Sequence, residues 1–101
     1  MQIRPGVEIE DRSLAAFARR HAVRRLALYG SVLRDDFRDD SDIDVLVEFE
    51  PGRSPGLLGM ASMELELGEL LRREVEIRTY HDLSRYFRDQ VRDGARELYA
   101  A

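Results

Sequence analysis

The stretch that most constrains this chain is Ile43–Phe49, IDVLVEF, where Val45, Leu46 and Val47 follow one another without a polar interruption. A strand with one face in water alternates apolar and polar residues, so an unbroken apolar centre marks a strand buried on both faces, inside a sheet. Glu48 and Glu50 mark its return to solvent. Around it the periodicities are mixed. Leu14, Phe17, Ala18 and His21 recur at helical spacing and predict a helix over about 13–21, capped by Asp11 or Ser13. RLALY at 25–29 predicts a short strand stopped by Gly30-Ser31, with a brief helix over 32–36. EPGRSPG at 50–56 is a loop. Met60, Met63, Leu67, Leu70 and Leu71 form an apolar stripe on a helix over 57–73, with Glu69 and Arg73 spaced to pair. VEIRT at 75–79 alternates as a strand, and Phe87, Val91, Ala95 and Leu98 predict a final helix over 84–99. The expected order is α-β-α-β-α-β-α, an α/β fold with a small mixed β-sheet flanked by helices.

At 101 residues the chain has the size of one domain, residues 1–101. All 16 of its basic residues are arginine, so chemistry that needs a lysine, whether a Walker-type phosphate loop or a Schiff base, is excluded. The absence of cysteine removes thiolate catalysis, cysteine zinc sites and disulfides, and is compatible with a reducing cytoplasm, the expected location. No apolar run approaches membrane-spanning length, and the first residues carry no apolar signal core, so no membrane association is expected. The net charge of −4 is unevenly spread. Residues 1–34 hold seven arginines against three acids, residues 35–50 hold eight acids against one arginine, and the remainder is near balance. Either the acidic stretch is a solvated loop or it contains a site for a divalent cation.

The chemistry gathers in YGSVLRDDFRDDSDIDVLVEF, residues 29–49. Asp42 and Asp44 are two apart at the mouth of a strand, so both carboxylates project from one face, roughly 6.5 Å apart along the backbone. Mg²⁺ prefers oxygen donors and commonly takes one or two carboxylates plus substrate phosphate oxygens, which is what such a pair offers. Gly30 and Ser31 end the preceding strand and open a helical turn, where a glycine permits close backbone approach and unpaired N–H groups attract an anion. An ordinary capped turn would have the same composition. The combination G-S, ten residues, then D-x-D, between two apolar strands, brings a phosphate cradle opposite a metal mouth. Arg34, three residues beyond the cradle, can reach a phosphate or pair with Asp35, Asp36 or Asp39. Arg53 could close from its loop over a nucleotide, while Tyr29 reads as core. His21 and His81 have no metal spacing. No aromatic-basic motif for RNA is present, so no direct nucleic-acid contact is expected.

Through YGS, Arg34 and SDIDVLVE, and through the closing pattern YFRDQVRDGARELY, the sequence resembles the minimal nucleotidyltransferase family of the DNA polymerase β-like superfamily. It is most similar there to antitoxins encoded beside HEPN-domain ribonuclease toxins, some of which transfer AMP from ATP to a toxin tyrosine. The resemblance implies that Gly30 and Ser31 hold the nucleotide triphosphate, with Arg34 as a further nucleotide contact, and that Asp42 and Asp44 bind Mg²⁺. It also implies a third carboxylate on a neighbouring strand, for metal and for activating the acceptor hydroxyl. Glu76 stands where the family usually has aspartate. The implied partner is a HEPN-domain toxin in a hetero-oligomer, since 101 residues leave no second domain to form an acceptor pocket. Two functions follow from this: Mg²⁺- and ATP-dependent adenylyl transfer to a protein hydroxyl, or steric masking of the toxin by a domain whose nucleotide site has little activity.

Overall fold

The computed structural model describes all of residues 1–101. A two-stranded antiparallel ribbon, β1 (Gln2–Arg4) and β2 (Val7–Glu8), leads into helix α1 (Asp11–Arg20), strand β3 (Val23–Tyr29) and a 3₁₀ turn over Gly30–Leu33. Strand β4 (Ile43–Phe49), helix α2 (Leu57–Leu71) and strand β5 (Val75–Thr79) follow. A 3₁₀ turn at Tyr80–Asp82, the short helix α3 (Arg88–Gly94) and strand β6 (Arg96–Ala100) complete the chain. Four strands form one mixed sheet in the order β5-β4-β3-β6, with β4 and β5 parallel and the other pairs antiparallel.

β4 occupies an interior position, and Val45, Leu46 and Val47 are all buried, as its unbroken apolar centre requires. β4, α2 and β5 make a crossover unit, the connection that a parallel pair needs. The apolar stripe of α2 faces inward through Met63, Leu67 and Leu71, and meets Leu14, Phe17 and Ala18 of α1 together with Leu26, Leu28, Ile43, Val45 and Ile77 of the sheet in one continuous core. α2 ends at Leu71 rather than at 73, because Arg72 takes a left-handed conformation (φ +56°) and turns the chain toward β5. Arg73 does not pair with Glu69. Its guanidinium instead donates to the carbonyls of Arg38 and Ser41, at 2.6 and 2.7 Å.

The chain's last third departs from its periodicity. A helix over 84–99 is not formed: α3 covers only Arg88–Gly94, and Arg96–Ala100 adds a strand to the free edge of β3. The cause is non-local. Without β6 the inner strand β3 would have one row of N–H and C=O groups unpaired, and backbone pairing there outweighs a helical preference that Gly94 already weakens. Phe87, placed on the inner side of that expected helix, is exposed. The β1–β2 ribbon was also not anticipated, although Pro5-Gly6 between Ile3 and Val7 is a turn signal, and Gly6 has φ +82°. The helix expected over 32–36 is instead the 3₁₀ turn at 30–33, and α1 begins at Asp11, with no side-chain cap.

Candidate active site

Pairing across the sheet sets one row of side chains. Tyr29 of β3 lies opposite Asp44 of β4, and Asp44 lies opposite Glu76 of β5. Directly opposed residues project from the same face, so these three stand side by side on the face turned away from Leu28, Val45 and Ile77. Asp42 precedes β4 and is exposed, whereas Asp44 is half-buried. Immediately after Tyr29 the chain turns at Gly30 with φ +77°, a conformation that favours glycine. A Cβ at this position would lie 2.6 Å from Asp44 Oδ2. The glycine therefore serves two needs: it starts the turn that contains Ser31, and it leaves the room in which the Asp44 carboxylate lies.

The electrostatics are those of a site short of positive charge. Burial, then the neighbouring Glu76, raises the Asp44 pKa above its ordinary value; Arg78 opposes this and Asp42 adds to it. Burial and the Asp44 charge push the Tyr29 hydroxyl up to about 12, so it stays protonated. Glu76 is exposed and accepts a hydrogen bond from Arg78 Nη2 at 2.7 Å. Asp42 and Asp44 present oxygen donors suited to a Mg²⁺ that arrives with phosphate oxygens, and the unrelieved charge on Asp44 is what such a cation would relieve. They are not joined by a third ligand: no three acidic or histidine side chains gather closely enough to hold a metal ion on their own. The expected set of Asp42, Asp44 and Glu76 is thus on one face, with the Glu76 carboxylate both in hydrogen-bonding contact with the Asp44 side chain and held by Arg78.

The same charge arrangement fixes a pH dependence. A carboxyl whose folded pKa is raised favours the folded state when protonated, so its contribution is full below the ordinary value of 3.8 and is lost as pH rises through the raised folded value. Asp44→Asn should therefore raise the melting temperature of the metal-free protein at neutral pH. The gain should fade as the pH is lowered toward the ordinary carboxyl range, as thermal denaturation across pH can check.

The acidic loop that carries Asp42 is held from outside. The Phe37 ring contacts two arginines, Arg4 with its guanidinium 4.6 Å and Arg73 with its guanidinium 4.4 Å from the ring centroid. Arg4 donates to the carbonyls of Val32 and Arg34, while Arg73 holds Arg38 and Ser41. These contacts span both ends of residues 32–41 and fix where Asp42 enters β4. The loop acids Asp35, Asp36, Asp39 and Asp40 are exposed, and Arg34 pairs with Asp36 at 3.1 Å rather than turning to the cradle. Arg53 is exposed in its loop, and His21 contacts Glu66 of α2 at 2.6 Å. Neither histidine joins the carboxylates. Tyr29, Arg78, Phe37, Arg4 and Arg73 were not singled out as site residues from sequence, because their roles depend on strand register and on contacts between segments far apart in the chain.

A groove of about 530 Å³ opens nearer the other end of β4, lined among others by Arg25, Glu48, Thr79, Tyr80, His81 and Arg92. Asp42, Asp44, Glu76 and Gly30 are not in its wall. Asp42 instead lines a smaller cavity together with Asp39, Asp40, Arg72, Arg73 and Glu74, while Asp44 is half-buried.

A family model described as a nucleotidyltransferase domain matches residues 11–98. In sequence the chain is 37% identical over 76 residues to MJ0435 of Methanocaldococcus jannaschii, a provisionally assigned protein adenylyltransferase; the match covers 75% of this chain and 80% of that protein. It is 38% identical over 58 residues to the protein adenylyltransferase MntA of Thermococcus cleftensis, covering 57% of each. Among solved structures, a provisionally assigned minimal nucleotidyltransferase superposes with a TM-score of 0.67 at 35% identity, over 88% of this chain and 87% of that one. A toxin–antitoxin crystal structure with AMP-PNP gives a TM-score of 0.72 at 17% identity, over 92% of this chain and 75% of that one, a likeness of fold.

Proposed function

This chain belongs to the nucleotidyltransferase domain family, and on that premise we propose that it is an ATP- and Mg²⁺-dependent protein adenylyltransferase that acts as an antitoxin, transferring AMP to a tyrosine of a HEPN-domain ribonuclease toxin. The observation that carries the reading is the lodging of the Asp44 carboxylate against the Cβ-free face of Gly30, beside Asp42, at the junction of β3 and β4. It joins the glycine-serine turn and the D-x-D pair into one place, where Gly30 and Ser31 receive phosphates. Arg34 would have to leave Asp36 to join them. Asp42 and Asp44 would hold Mg²⁺, which when bound neutralises charge on the triphosphate. The acceptor hydroxyl oxygen bonds to the α-phosphorus, the bond from that phosphorus to the bridging oxygen breaks, and pyrophosphate leaves with the bonding pair. Glu76, in register with Asp44, takes the hydroxyl proton. The names of the adenylyltransferase relatives support AMP as the transferred group. The exposed Asp42 and Glu76 side chains and the toxin–antitoxin complexes among the fold neighbours support a protein acceptor.

A second reading, neutralisation by steric masking alone, is favoured by one feature: no three carboxylates gather into a metal site, and Arg78 occupies Glu76. Intact mass spectrometry of the co-expressed toxin, paired with growth rescue, separates the two. The adenylyltransferase reading expects adenylate mass on the toxin, lost with Glu76→Gln. Full rescue with an unmodified toxin would establish masking.

A further inference from the structure

Arg78 lies two residues beyond Glu76 on β5, on the same face, and the register places it opposite Leu46 of β4, one step along from the Asp44–Glu76 pairing. Its guanidinium is 2.7 Å from Glu76 Oε1, with side-chain exposures of 40% for Arg78 and 48% for Glu76. No other cationic side chain forms an ion pair with Asp42, Asp44 or Glu76, and no second acid pairs with Arg78. A guanidinium cannot be deprotonated at any ordinary pH, so this positive charge is permanent. The carboxylate row thus has three acidic groups and one directly paired, built-in positive charge.

We infer that Arg78 is a positioning residue that competes with the divalent cation, occupying the Glu76 oxygen it bonds until cation and nucleotide arrive together. This rests on the assignment of Asp42 and Asp44 as the metal-binding pair. The competition has two physical parts. Arg78 engages the third carboxylate in a charge-assisted hydrogen bond, and its charge repels a second cation from the same face. A free cation supplied alone must overcome both, whereas one carried on a triphosphate brings four or so negative oxygens to which the guanidinium can transfer its hydrogen bonds. Release of Glu76 and arrival of the nucleotide are then one exchange, and the carboxylate is available as proton acceptor only when substrate is in place. Binding of metal without nucleotide is kept weak by the same arginine.

The test is Mn²⁺ binding to the nucleotide-free protein, read by the loss of the free-ion paramagnetic resonance signal. Arg78→Met removes the charge and nearly keeps the stem; it should bind Mn²⁺ about tenfold more tightly than wild type, the scale of one unit charge a few ångström away in a partly solvated site. Arg78→Gln should do the same, so that the result does not depend on one variant folding. Arg78→Lys, which keeps the charge, should stay close to wild type. Adding Glu76→Gln to Arg78→Met should reduce the gain. The inference is overturned if Arg78→Met and Arg78→Gln bind Mn²⁺ no more tightly than wild type while Asp42→Asn with Asp44→Asn abolishes binding, an outcome that leaves the metal assignment standing. Absence of binding in wild type and in every variant would overturn that assignment and this inference together.

Discussion

Replacing Asp42 and Asp44 together by asparagine is expected to abolish nucleotide transfer and to remove the Mg²⁺ dependence of ATP binding while the fold persists. Asp42 is exposed and Asp44 half-buried, and neither side chain belongs to the apolar core formed by α1, α2 and the inner residues of β3, β4 and β5. The amides preserve shape and hydrogen-bonding capacity but lose the negative charge that draws a hard cation. Removing that charge also relieves the burial penalty and the Glu76 repulsion that Asp44 bears, so the loss of function should come with a metal-free protein at least as stable as wild type. This pairing of outcomes distinguishes a functional carboxylate from a structural one, whose removal would lower stability. Calorimetric titration with a non-hydrolysable ATP analogue, with and without Mg²⁺, alongside thermal denaturation, measures both. Transfer that survives in the double variant would remove Asp42 and Asp44 from the mechanism.

The second large effect is expected at Gly30. A valine there meets two obstacles: backbone at φ +77°, where a β-branched residue is strained by about 1–3 kcal/mol, and a Cβ 2.6 Å from Asp44 Oδ2. Either the turn reshapes or the carboxylate moves, and misplacement of a catalytic group by ~1 Å is enough to cost roughly a hundredfold in rate. Gly30→Val should therefore lose both stability and nucleotide affinity. Ser31→Ala, which removes one hydroxyl, should cost only about 0.5–1.5 kcal/mol of binding and leave the fold intact. Chemical denaturation and calorimetry of the two variants decide the matter. Wild-type nucleotide affinity in Gly30→Val would place the phosphates elsewhere.

Local pattern determines some of these elements and distant strand pairing determines others. Ile43–Phe49 and Val75–Thr79 appear as strands with the expected bounds, because their patterns report burial directly. The stripe on α2 is likewise in the core through Met63, Leu67 and Leu71. Residues 96–100 could not be read this way. RELYA is a strand because β3 has an edge to be paired, a demand raised by residues some seventy positions earlier. The same division holds at the site. The spacing of Gly30, Ser31, Asp42 and Asp44 suffices to bring a turn and a strand mouth together, since the segments flanking it are strands. That Asp44 fills the space beside Gly30, that Tyr29 and Glu76 flank it, and that Arg78 engages Glu76 all follow from register, which the linear pattern leaves open. Phe37 and its two arginines belong to the same class, a clamp assembled from three separated segments.

Adenylyl transfer is distinguished most directly by which part of ATP reaches the toxin. Purified toxin incubated with this protein, Mg²⁺ and ATP labelled on either the α- or the γ-phosphate separates the possibilities in one gel. Label from the α-phosphate on the toxin, none from the γ-phosphate, and release of pyrophosphate in equal amount are the expected results, all absent with Asp42→Asn and Asp44→Asn. Label arriving from the γ-phosphate, or no label on a toxin that the protein nonetheless neutralises, would contradict adenylyl transfer as its function.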